Sequence, residues 1–243
     1  MEIKVRDLRK SFNTNQVLRG VDLDVPPGKI TVVLGGSGSG KTVLLKHLMG
    51  LLRPDSGSVL IDGKDITRMR ERDLLPIRMH MGFIFQAGSL LNSLTVYDNV
   101  ALGLREHRLG SEKEIRHIVM EKLDLFGLGD RAGEMPANLS GGMRKRVAIA
   151  RELTMNPQAI LYDEPTADLD PPRANRVDNV IRDMSRRIGV STVLVTHDLV
   201  SAFTLADRIH FLHEGRMIES GTPEEFRGSS NEIIQNFIAR GRS

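Results

Sequence analysis

Short apolar runs alternate with amphipathic stretches through much of the chain. Ile30–Leu34, Ala159–Tyr162 and Thr192–Thr196 are each rich in aliphatic or β-branched residues. The first run leads through glycines into a predicted helix over Lys41–Leu51, and the second leads into one over Pro171–Arg187. Nearly continuous apolar strands that alternate with helices indicate a parallel sheet covered by helices on both faces.

Two other pairs of segments predict antiparallel strands. At the N-terminal end these are Ile3–Val5 and Val17–Val25, and near the other end they are Arg208–Leu212 and Arg216–Glu219. The dipeptide Glu214–Gly215 is the predicted turn of the second pair.

Between residues 87 and 155 the strand patterns disappear and helical patterns dominate. We therefore expect one domain over residues 1–243. Residues 1–86 and 156–243 form an α/β core with an antiparallel β subdomain, and residues 87–155 form an inserted α-helical subdomain.

The composition is that of an ordinary globular domain, with 40% hydrophobic and 27% charged residues in a chain of 243. The absence of cysteine excludes disulfides and cysteine-ligated metals and fits a reducing compartment. No apolar run approaches the roughly 18 residues that cross a bilayer, and the first residues lack the apolar core of a signal peptide. Any membrane role is therefore expected to come through a partner.

The charge balance does not suggest a nucleic-acid-binding protein. The formal net charge is only +3, aromatic residues make up 4%, and tryptophan is absent. The basic clusters Arg68–Arg72 and Arg144–Arg146 are predicted to be solvated helix faces.

A glycine-rich loop between a predicted strand and a predicted helix supplies the strongest local signal. It matches GxxxxGK[ST], in which successive backbone N–H groups and a helix N-terminus bind phosphate. The lysine would reach the β- and γ-phosphates of a nucleotide, and the hydroxyl that follows it would bind Mg²⁺. The residues of this P-loop are Gly35, Gly36, Ser37, Gly38, Ser39, Gly40, Lys41 and Thr42.

Two acidic residues follow another apolar run, as a phosphate-bound metal requires. Asp163 and Glu164 come directly after Ile160–Tyr162. Because ligands of parallel sheets bind at the carboxyl ends of the strands, both acids should face the phosphates. We expect Asp163 to hold Mg²⁺ through its water shell and Glu164 to polarise the attacking water.

A second anion-binding helix terminus is predicted near the middle of the chain. Ser140 can cap the helix that follows it, and Gly141 and Gly142 leave the first backbone N–H groups of that helix open. Taken alone, the pentapeptide Leu139–Met143 would indicate no more than a capped helix with a flexible entry.

Taken with their surroundings, these segments resemble the ABC ATPase family. The run Leu-Ser-Gly-Gly-Met followed by Arg-Lys-Arg-Val-Ala-Ile-Ala-Arg resembles the family signature, and Leu-Tyr-Asp-Glu-Pro-Thr resembles its Walker B segment. The resemblance spans essentially the whole chain. The resemblance implies that Phe12 stacks on adenine and that His197 contacts the γ-phosphate. It also implies that Gln86 contacts the metal and the attacking water and signals to the membrane subunit.

The resemblance also implies the assembly and its chemistry. The fold is that of a P-loop NTPase with a RecA-like core, and ATP is sandwiched between the P-loop of one copy and the signature helix of a second. Ser140, Gly141 and Gly142 would therefore act in trans within a homodimer. This dimer would drive integral membrane permease subunits from the cytoplasmic face of the inner (plasma) membrane by hydrolysing ATP with Mg²⁺.

Three residues depart from the family pattern. Phe12 stands where the family more often has a tyrosine. The phenylalanine keeps the aromatic ring but lacks the hydroxyl. Gly36 stands where proline is common. Asp168 stands where the D-loop, Ala167–Asp170, usually has a small residue, and its charge puts the geometry of that loop in question.

Within the family, several stretches resemble the ATPase of the Mla-type phospholipid transporters. These transporters work with MCE-domain lipid-binding proteins and, in our expectation, a small regulatory protein. In that interpretation Leu90 and Leu91 line a groove for a cytoplasmic helix of the permease. The stretches are Phe85–Ala101, Leu104–His107, Met135–Met143 and Asn231–Arg240.

Three alternatives stay open. The chain could energise an importer for an amino acid, a metal complex or another small solute. It could be a soluble ABC ATPase of the iron–sulfur assembly type. The identity of its partners would distinguish this type from a transporter ATPase. A nucleotide-binding module without turnover is the third, and Glu164 and His197 both argue against it.

Overall fold

The computed structural model describes residues 1–85 and 90–240 of the chain. The strands are β1 (Ile3–Phe12), β2 (Asn15–Val25), β3 (Ile30–Leu34), β4 (Ser56–Ile61), β5 (Lys64–Asp65), β6 (Met81–Ile84), β7 (Ala159–Asp163), β8 (Ser191–Thr196), β9 (Arg208–His213) and β10 (Arg216–Gly221). The helices are α1 (Lys41–Leu48), α2 (Glu71–Arg78), α3 (Val96–Glu106), α4 (Glu112–Leu125), α5 (Gly141–Leu153), α6 (Pro171–Ile188), α7 (Leu199–Leu205), α8 (Pro223–Arg227) and α9 (Glu232–Arg240).

The predicted parallel sheet forms the centre of the fold. Its six strands lie in the order β10-β9-β3-β8-β7-β6, and the neighbours from β9 to β6 are all parallel. Every residue of β3, β7 and β8 is buried, because helices cover both faces of these strands. The carboxyl ends of β3, β7 and β8 therefore meet at one edge of the sheet, where the candidate site lies.

A second sheet of four strands, in the order β2-β1-β4-β5, is antiparallel. It confirms the predicted antiparallel region but is larger than expected. The strand β1 extends to Phe12, and β4 and β5 were not among the predicted strands. The strand β6 of the six-stranded sheet was not predicted either. The polar and glycine-containing sequence of β4, Ser56–Ile61, carries a weak strand signal, and its pairing with β1 decides its conformation.

The strand pair near the other end joins the main sheet. Its predicted turn is confirmed, since Glu214 and Gly215 both have positive φ, of 45° and 76°, as a tight hairpin turn requires. However, β9 is antiparallel only to β10, because on its other side it pairs in parallel with β3. The prediction of antiparallel pairing was therefore right for one edge of β9 and incomplete for the other.

The first helix ends earlier than expected. The pattern predicted Lys41–Leu51, whereas α1 ends at Leu48 and Gly50 takes a φ of 63°. A left-handed glycine just past the last turn is a common helix stop. The buried leucines of α1 pack between the antiparallel sheet and one face of the parallel sheet.

The other face of the parallel sheet packs against the helices α3 to α9. Here one basic cluster differs from its prediction. Arg144, Lys145 and Arg146 are not a solvated face, because each donates a hydrogen bond to a backbone carbonyl, at 2.6, 2.9 and 2.7 Å. The second cluster, Arg68–Arg72, is mostly exposed, but α2 begins only at Glu71 and so most of that cluster precedes the helix.

None of the helices within residues 1–85 and 90–240 is long and apolar enough to cross a membrane.

Candidate nucleotide-binding and hydrolysis site

The loop between β3 and α1 needs glycine at two positions for steric reasons. A Cβ atom at Gly35 would lie 2.3 Å from the Leu212 carbonyl oxygen, so that only glycine lets β9 approach the loop. Gly40 has a φ of 106°, and a Cβ atom there would lie 2.9 Å from a methyl group of Leu18. The loop conformation therefore depends on contacts from both sheets.

Lys41 begins α1 and turns its ammonium group back along the loop. Its Nζ donates to the carbonyl oxygens of Gly35 and Gly36, at 2.8 and 3.0 Å. The same nitrogen lies 3.3 Å from Oε1 of Glu164, and both side chains are largely buried. A buried ammonium held over the phosphate-binding loop is placed to contact the terminal phosphates of a nucleotide.

Thr42 and Asp163 meet across α1 and β7. The Thr42 hydroxyl donates to Oδ1 of Asp163 at 3.0 Å. Burial raises the pKa of Asp163 above its ordinary value, and the hydrogen bond from Thr42 opposes that shift. A buried carboxylate beside a hydroxyl offers the hard oxygen ligands that Mg²⁺ prefers, and a dication would offset the cost of burying the carboxylate charge. The two residues thus fit a magnesium site that is completed by water and phosphate oxygens.

Glu164 takes a backbone conformation that is rare for glutamate. Its φ is 49°, in the left-handed region, and its N–H donates to the Val195 carbonyl at 3.0 Å. This conformation turns the side chain toward the glycine-rich loop. The carboxylate lies between Lys41 on one side and His197 on the other, with Oε2 at 3.0 Å from His197 Nδ1.

His197 follows β8 and is held by its neighbours in the chain. The backbone N–H of His197 also approaches Oε2 of Glu164, at 3.3 Å. The N–H of Asp198 donates to the hydroxyl of Thr196 at 3.0 Å, and Asp198 caps α7 by accepting from Val200 N–H at 2.8 Å. The His197 side chain remains 58% exposed, so that a ligand in the loop can reach it.

A cavity of about 370 Å³ lies over this loop and confirms that part of the predicted set comes together. Val17 of β2 also lines it, which the sequence analysis did not predict; its carbonyl lies 3.1 Å from the Cβ position of Gly40. The lining residues are Val17, Ser37, Gly38, Gly40, Lys41, Thr42, Val43 and Glu164.

Several predicted residues within the described part of the chain do not line this cavity, among them Phe12, Asp163 and His197. Phe12, at the end of β1, is 43% exposed and has the Lys10 ammonium 5.5 Å from its ring centroid. Stacking of adenine on Phe12 stays a prediction. Gln86 lies outside the described residues, and its role also stays a prediction.

The signature segment forms a separate site. Ser140 caps α5 as predicted, because its hydroxyl accepts from Met143 N–H at 3.3 Å. Around the Cβ position of Gly142 no atom of the described chain lies within 4 Å. Ser140 and Gly142 line a different cavity, of about 380 Å³, from the one over the glycine-rich loop.

Lys145 connects the signature helix to the D-loop and was not predicted to act. It is 8% exposed, and its Nζ donates to the Ala167 carbonyl at 2.9 Å. Burial lowers the pKa of Lys145, while the charges of Asp168 and Glu164 oppose that shift. Asp168, with a φ of 62°, therefore has a nearby cation that offsets its unusual charge.

Comparisons with known proteins identify the family to which this chain belongs. The model of the ABC transporter family matches residues 18–167. The chain is 43% identical over 236 residues to the probable ribonucleotide transport ATP-binding protein mkl of Mycobacterium leprae, covering 97% of this chain and 68% of that protein. It is 36% identical over 236 residues to the intermembrane phospholipid transport system ATP-binding protein MlaF of Haemophilus influenzae, covering 97% and 89%.

Among solved structures, the chain resembles the dimeric post-hydrolysis state of the ATP-binding cassette MJ0796 bound to ADP and phosphate. The TM-score is 0.83 at 32% identity, and the match covers 91% of this chain and 98% of that one. The chain therefore belongs to the ABC transporter family. It is an ATP-binding domain with the fold of a P-loop NTPase and the activity of an ATPase.

Proposed function

We propose that Lys41, Glu164 and His197 carry out ATP hydrolysis in this chain. Lys41 binds the β- and γ-phosphates, and Glu164 orients and polarises the water for in-line attack. The Nδ1 atom of His197 is hydrogen-bonded to the carboxylate of Glu164. Nε2 is therefore left to form a hydrogen bond with an oxygen of the γ-phosphate. The observation that carries this proposal is the position of the Glu164 carboxylate, 3.3 Å from the lysine ammonium and 3.0 Å from the histidine ring.

The backbone of the loop supplies the remaining phosphate contacts. Gly36, Ser37, Gly38 and Gly40 offer their backbone N–H groups to the phosphates at the N-terminus of α1. The N–H of Gly35 donates instead to the Thr196 carbonyl at 3.2 Å and that of Ser39 to the Gly36 carbonyl at 3.3 Å, so these two residues shape the loop. Thr42 and Asp163 would hold Mg²⁺, partly through water, with Gln86 as a further ligand. Bound there, Mg²⁺ neutralises charge on the phosphate oxygens.

The signature residues act from a second copy of the chain. These residues are Ser140, Gly141 and Gly142 at the start of α5. Ser140 and Gly142 line a cavity of their own, which supports a role toward ATP bound by a partner. The similarity to the MJ0796 cassette, whose solved structure is dimeric, supports a dimer. In this homodimer the open N-terminus of α5 stabilises the negative charge that develops on the γ-phosphate.

The chain works as a peripheral subunit on the cytoplasmic face of the inner membrane, under permease subunits that carry the cargo. Phe85 and Leu91 are 40% and 46% exposed, and they flank the segment that leads out of β6. Exposed apolar side chains at this position offer a docking surface for a cytoplasmic helix of the permease.

The cargo that we favour is phospholipid, moved between membranes by a Mla-type system with an MCE-domain protein. The support is the resemblance of the stretch Phe85–Ala101 and of Asn231–Arg240 to that subfamily. The identity to MlaF extends over 89% of that protein's length.

A second candidate is transport of a small solute. The identity to mkl, whose name specifies ribonucleotide transport, is higher, at 43% against 36%. The catalytic residues do not distinguish the two candidates, because both would use the same hydrolysis.

Identification of the membrane partners tests the proposal. The tagged full chain is extracted gently from native membranes, and co-purifying proteins and lipids are identified by mass spectrometry. A permease together with an MCE-domain protein and bound phospholipid supports lipid transport. A permease with a solute-binding protein supports the second candidate, and soluble partners alone contradict both.

A further inference from the structure

A buried carboxylate on α6 lies behind the candidate site and takes no part in the functions assigned above. Asp178 is 1% exposed, and its Oδ2 lies 2.8 Å from the hydroxyl oxygen of Ser201, within hydrogen-bond distance. Its other oxygen, Oδ1, is buried without a hydrogen-bond partner. A buried ionised carboxylate with a single partner is costly, so the environment favours the neutral acid.

Ser201 is the junction of a small polar cluster. Its Oγ lies 3.0 Å from Oδ2 of Asp198 and 3.2 Å from Oγ1 of Thr166, in addition to the contact with Asp178. Ser201 is fully buried, and Thr166 is 6% exposed. The cluster therefore joins α6, the N-terminus of α7 and the segment that follows β7.

Both segments lead directly into the site. Thr166 comes two residues after Glu164, and Asp198 comes one residue after His197. The 3.0 Å contact between Glu164 and His197 depends on how these two segments sit against each other. Ser201 and Thr166 provide a direct side-chain contact between them.

The hydrogens of the cluster can be counted. Ser201 has one hydroxyl proton but lies within hydrogen-bond distance of two carboxylates, on Asp178 and Asp198. With one extra proton on Asp178 every contact is satisfied: Asp178 and Thr166 donate to Ser201, and Ser201 donates to Asp198. Without that proton, one carboxylate faces the serine oxygen with no hydrogen between them.

We propose that Asp178, Ser201 and Thr166 are positioning residues for ATP hydrolysis, which share a proton and hold the His197 segment against the Glu164 segment. This inference rests on the proposed roles of Glu164 and His197. Because none of the three residues lines the cavity over the glycine-rich loop, their loss should lower turnover rather than ATP binding.

The charges around Asp178 agree with a shared proton. The pKa of Asp178 is raised to about 6, chiefly by burial and in part by the nearby charge of Asp198, while the Ser201 hydrogen bond and the charge of Arg182 oppose the shift. From the segment after β7, the neutral hydroxyl of Thr166 contacts the cluster.

Steady-state ATPase kinetics of the purified full chain test the inference. In Ser201→Ala and Thr166→Val we expect kcat to fall about tenfold while KM for ATP stays within about twofold, because a small displacement at the reacting centre costs turnover. Asp178→Asn should keep kcat within about twofold of the unsubstituted chain, since the amide replaces the donor of the neutral acid.

Ser185→Ala is the matched control. Ser185 is also a buried serine of the α6 region, and its hydroxyl donates to the Val190 carbonyl at 3.1 Å. Its loss should lower the unfolding midpoint without changing kcat. If Ser201→Ala behaves in the same way, with normal kcat and reduced stability, the cluster is structural only and the inference is wrong.

A pH series gives a second, independent readout. Because folding raises the pKa of Asp178, its stabilising contribution is present at low pH and is lost as pH rises from about 4 to about 6. We therefore compare the unfolding midpoint of the unsubstituted chain with that of Asp178→Asn at each pH. The difference, unsubstituted minus variant, should fall by several degrees over that range and stay constant at higher pH. If the difference in unfolding midpoint between the two chains is the same at every pH, Asp178 does not hold the shared proton and the inference is wrong.

The failure of this inference is distinguishable from failure of the proposed function. If Glu164→Gln is inactive while Ser201→Ala and Thr166→Val turn over normally, only the positioning cluster is wrong. If Glu164→Gln hydrolyses ATP normally, the proposed catalytic roles are wrong.

Discussion

Glu164 and His197 are hydrogen-bonded to each other, with Oε2 3.0 Å from Nδ1, although they follow different strands. The pairing of β7 with β8 accounts for this contact, because Asp163 lies opposite Val195 in the parallel register. The Glu164 N–H then bonds to the Val195 carbonyl and continues the ladder by one residue. The sheet register therefore sets the distance between the proposed water-polarising acid and the histidine.

Substitution Glu164→Gln should separate ATP binding from hydrolysis. The amide keeps the size of the side chain but cannot accept a proton from water, so we expect kcat to fall at least about 100-fold. ATP binding should persist, and the variant should accumulate as a closed dimer. Phosphate release and size-exclusion chromatography with ATP measure the two effects.

The matched control for that variant is Glu214→Gln, which removes a charge from an exposed hairpin turn. Its ATPase rate should equal that of the unsubstituted chain. Near-normal hydrolysis by Glu164→Gln would remove Glu164 from its proposed role.

Gly35→Ala should destabilise the loop before any nucleotide binds. The added methyl group would lie 2.3 Å from the Leu212 carbonyl oxygen and 2.9 Å from the Ser39 hydroxyl, so that β9 and the loop must move apart. We expect a loss of about 1–3 kcal/mol in the free energy of unfolding, the usual cost of overpacking. Urea denaturation without nucleotide measures it.

Gly36→Ala provides the comparison, since no atom of the described chain lies within 4 Å of its Cβ position. Its free energy of unfolding should change by less than about 0.5 kcal/mol. Equal stability of the two alanine variants would mean that β9 does not restrict the loop.

The sequence predicted those parts of the site that local chemistry specifies. The lysine and threonine of the P-loop, the acids after β7 and the serine cap of α5 occupy strand ends or helix starts, where their residue types have a direct use. Their neighbourhood in space follows from parallel strands that end at one edge. The apolar runs of β3, β7 and β8 predicted three neighbouring strands of that sheet, but not β6 or the parallel pairing of β9 with β3.

Contacts between distant segments could not be predicted in this way. The strand β4 forms because β1 pairs with it, and Arg146 of α5 donates to the carbonyl of Phe126, 20 positions earlier in the chain. The cluster of Asp178, Ser201 and Thr166 joins residues up to 35 positions apart, and each of them alone has an unremarkable sequence context. Such pairings depend on tertiary packing, which periodicity does not report.

His210 should make the stability of the fold depend on pH below neutrality. It lies on β9 with Nδ1 2.7 Å from the Ser220 hydroxyl, and its Nε2 is buried without a partner. Burial lowers its pKa to about 4. In the unfolded chain His210 takes up a proton near pH 6.5, whereas in the folded chain it does not. The free energy of unfolding is therefore highest, as far as His210 contributes, above pH 6.5 and decreases as pH falls toward 4.

The variant His210→Gln isolates this effect, since all other groups titrate alike in both chains. Between pH 7.5 and pH 5 the free energy of unfolding of the unsubstituted chain should drop by about 2 kcal/mol more than that of the variant. Urea denaturation at the two pH values measures the difference. Parallel losses in both chains would show that His210 is protonated in the folded state.

Leu91→Glu should weaken attachment to the membrane partner without disturbing the fold. The backbone at Leu91 is held by the buried side chain of Asn99, which accepts from its N–H at 2.8 Å and donates to its carbonyl at 3.0 Å. The leucine side chain itself is 46% exposed, so a charge there costs the folded chain little but places a carboxylate in an apolar docking surface. Leu125→Glu, at a leucine on α4 that is 47% exposed, controls for the added charge. We expect co-purification of the permease to be lost in the first variant and kept in the second, while the ATPase activity of the isolated chain is equal in both. Retention of the permease by Leu91→Glu would place the docking surface elsewhere on the chain.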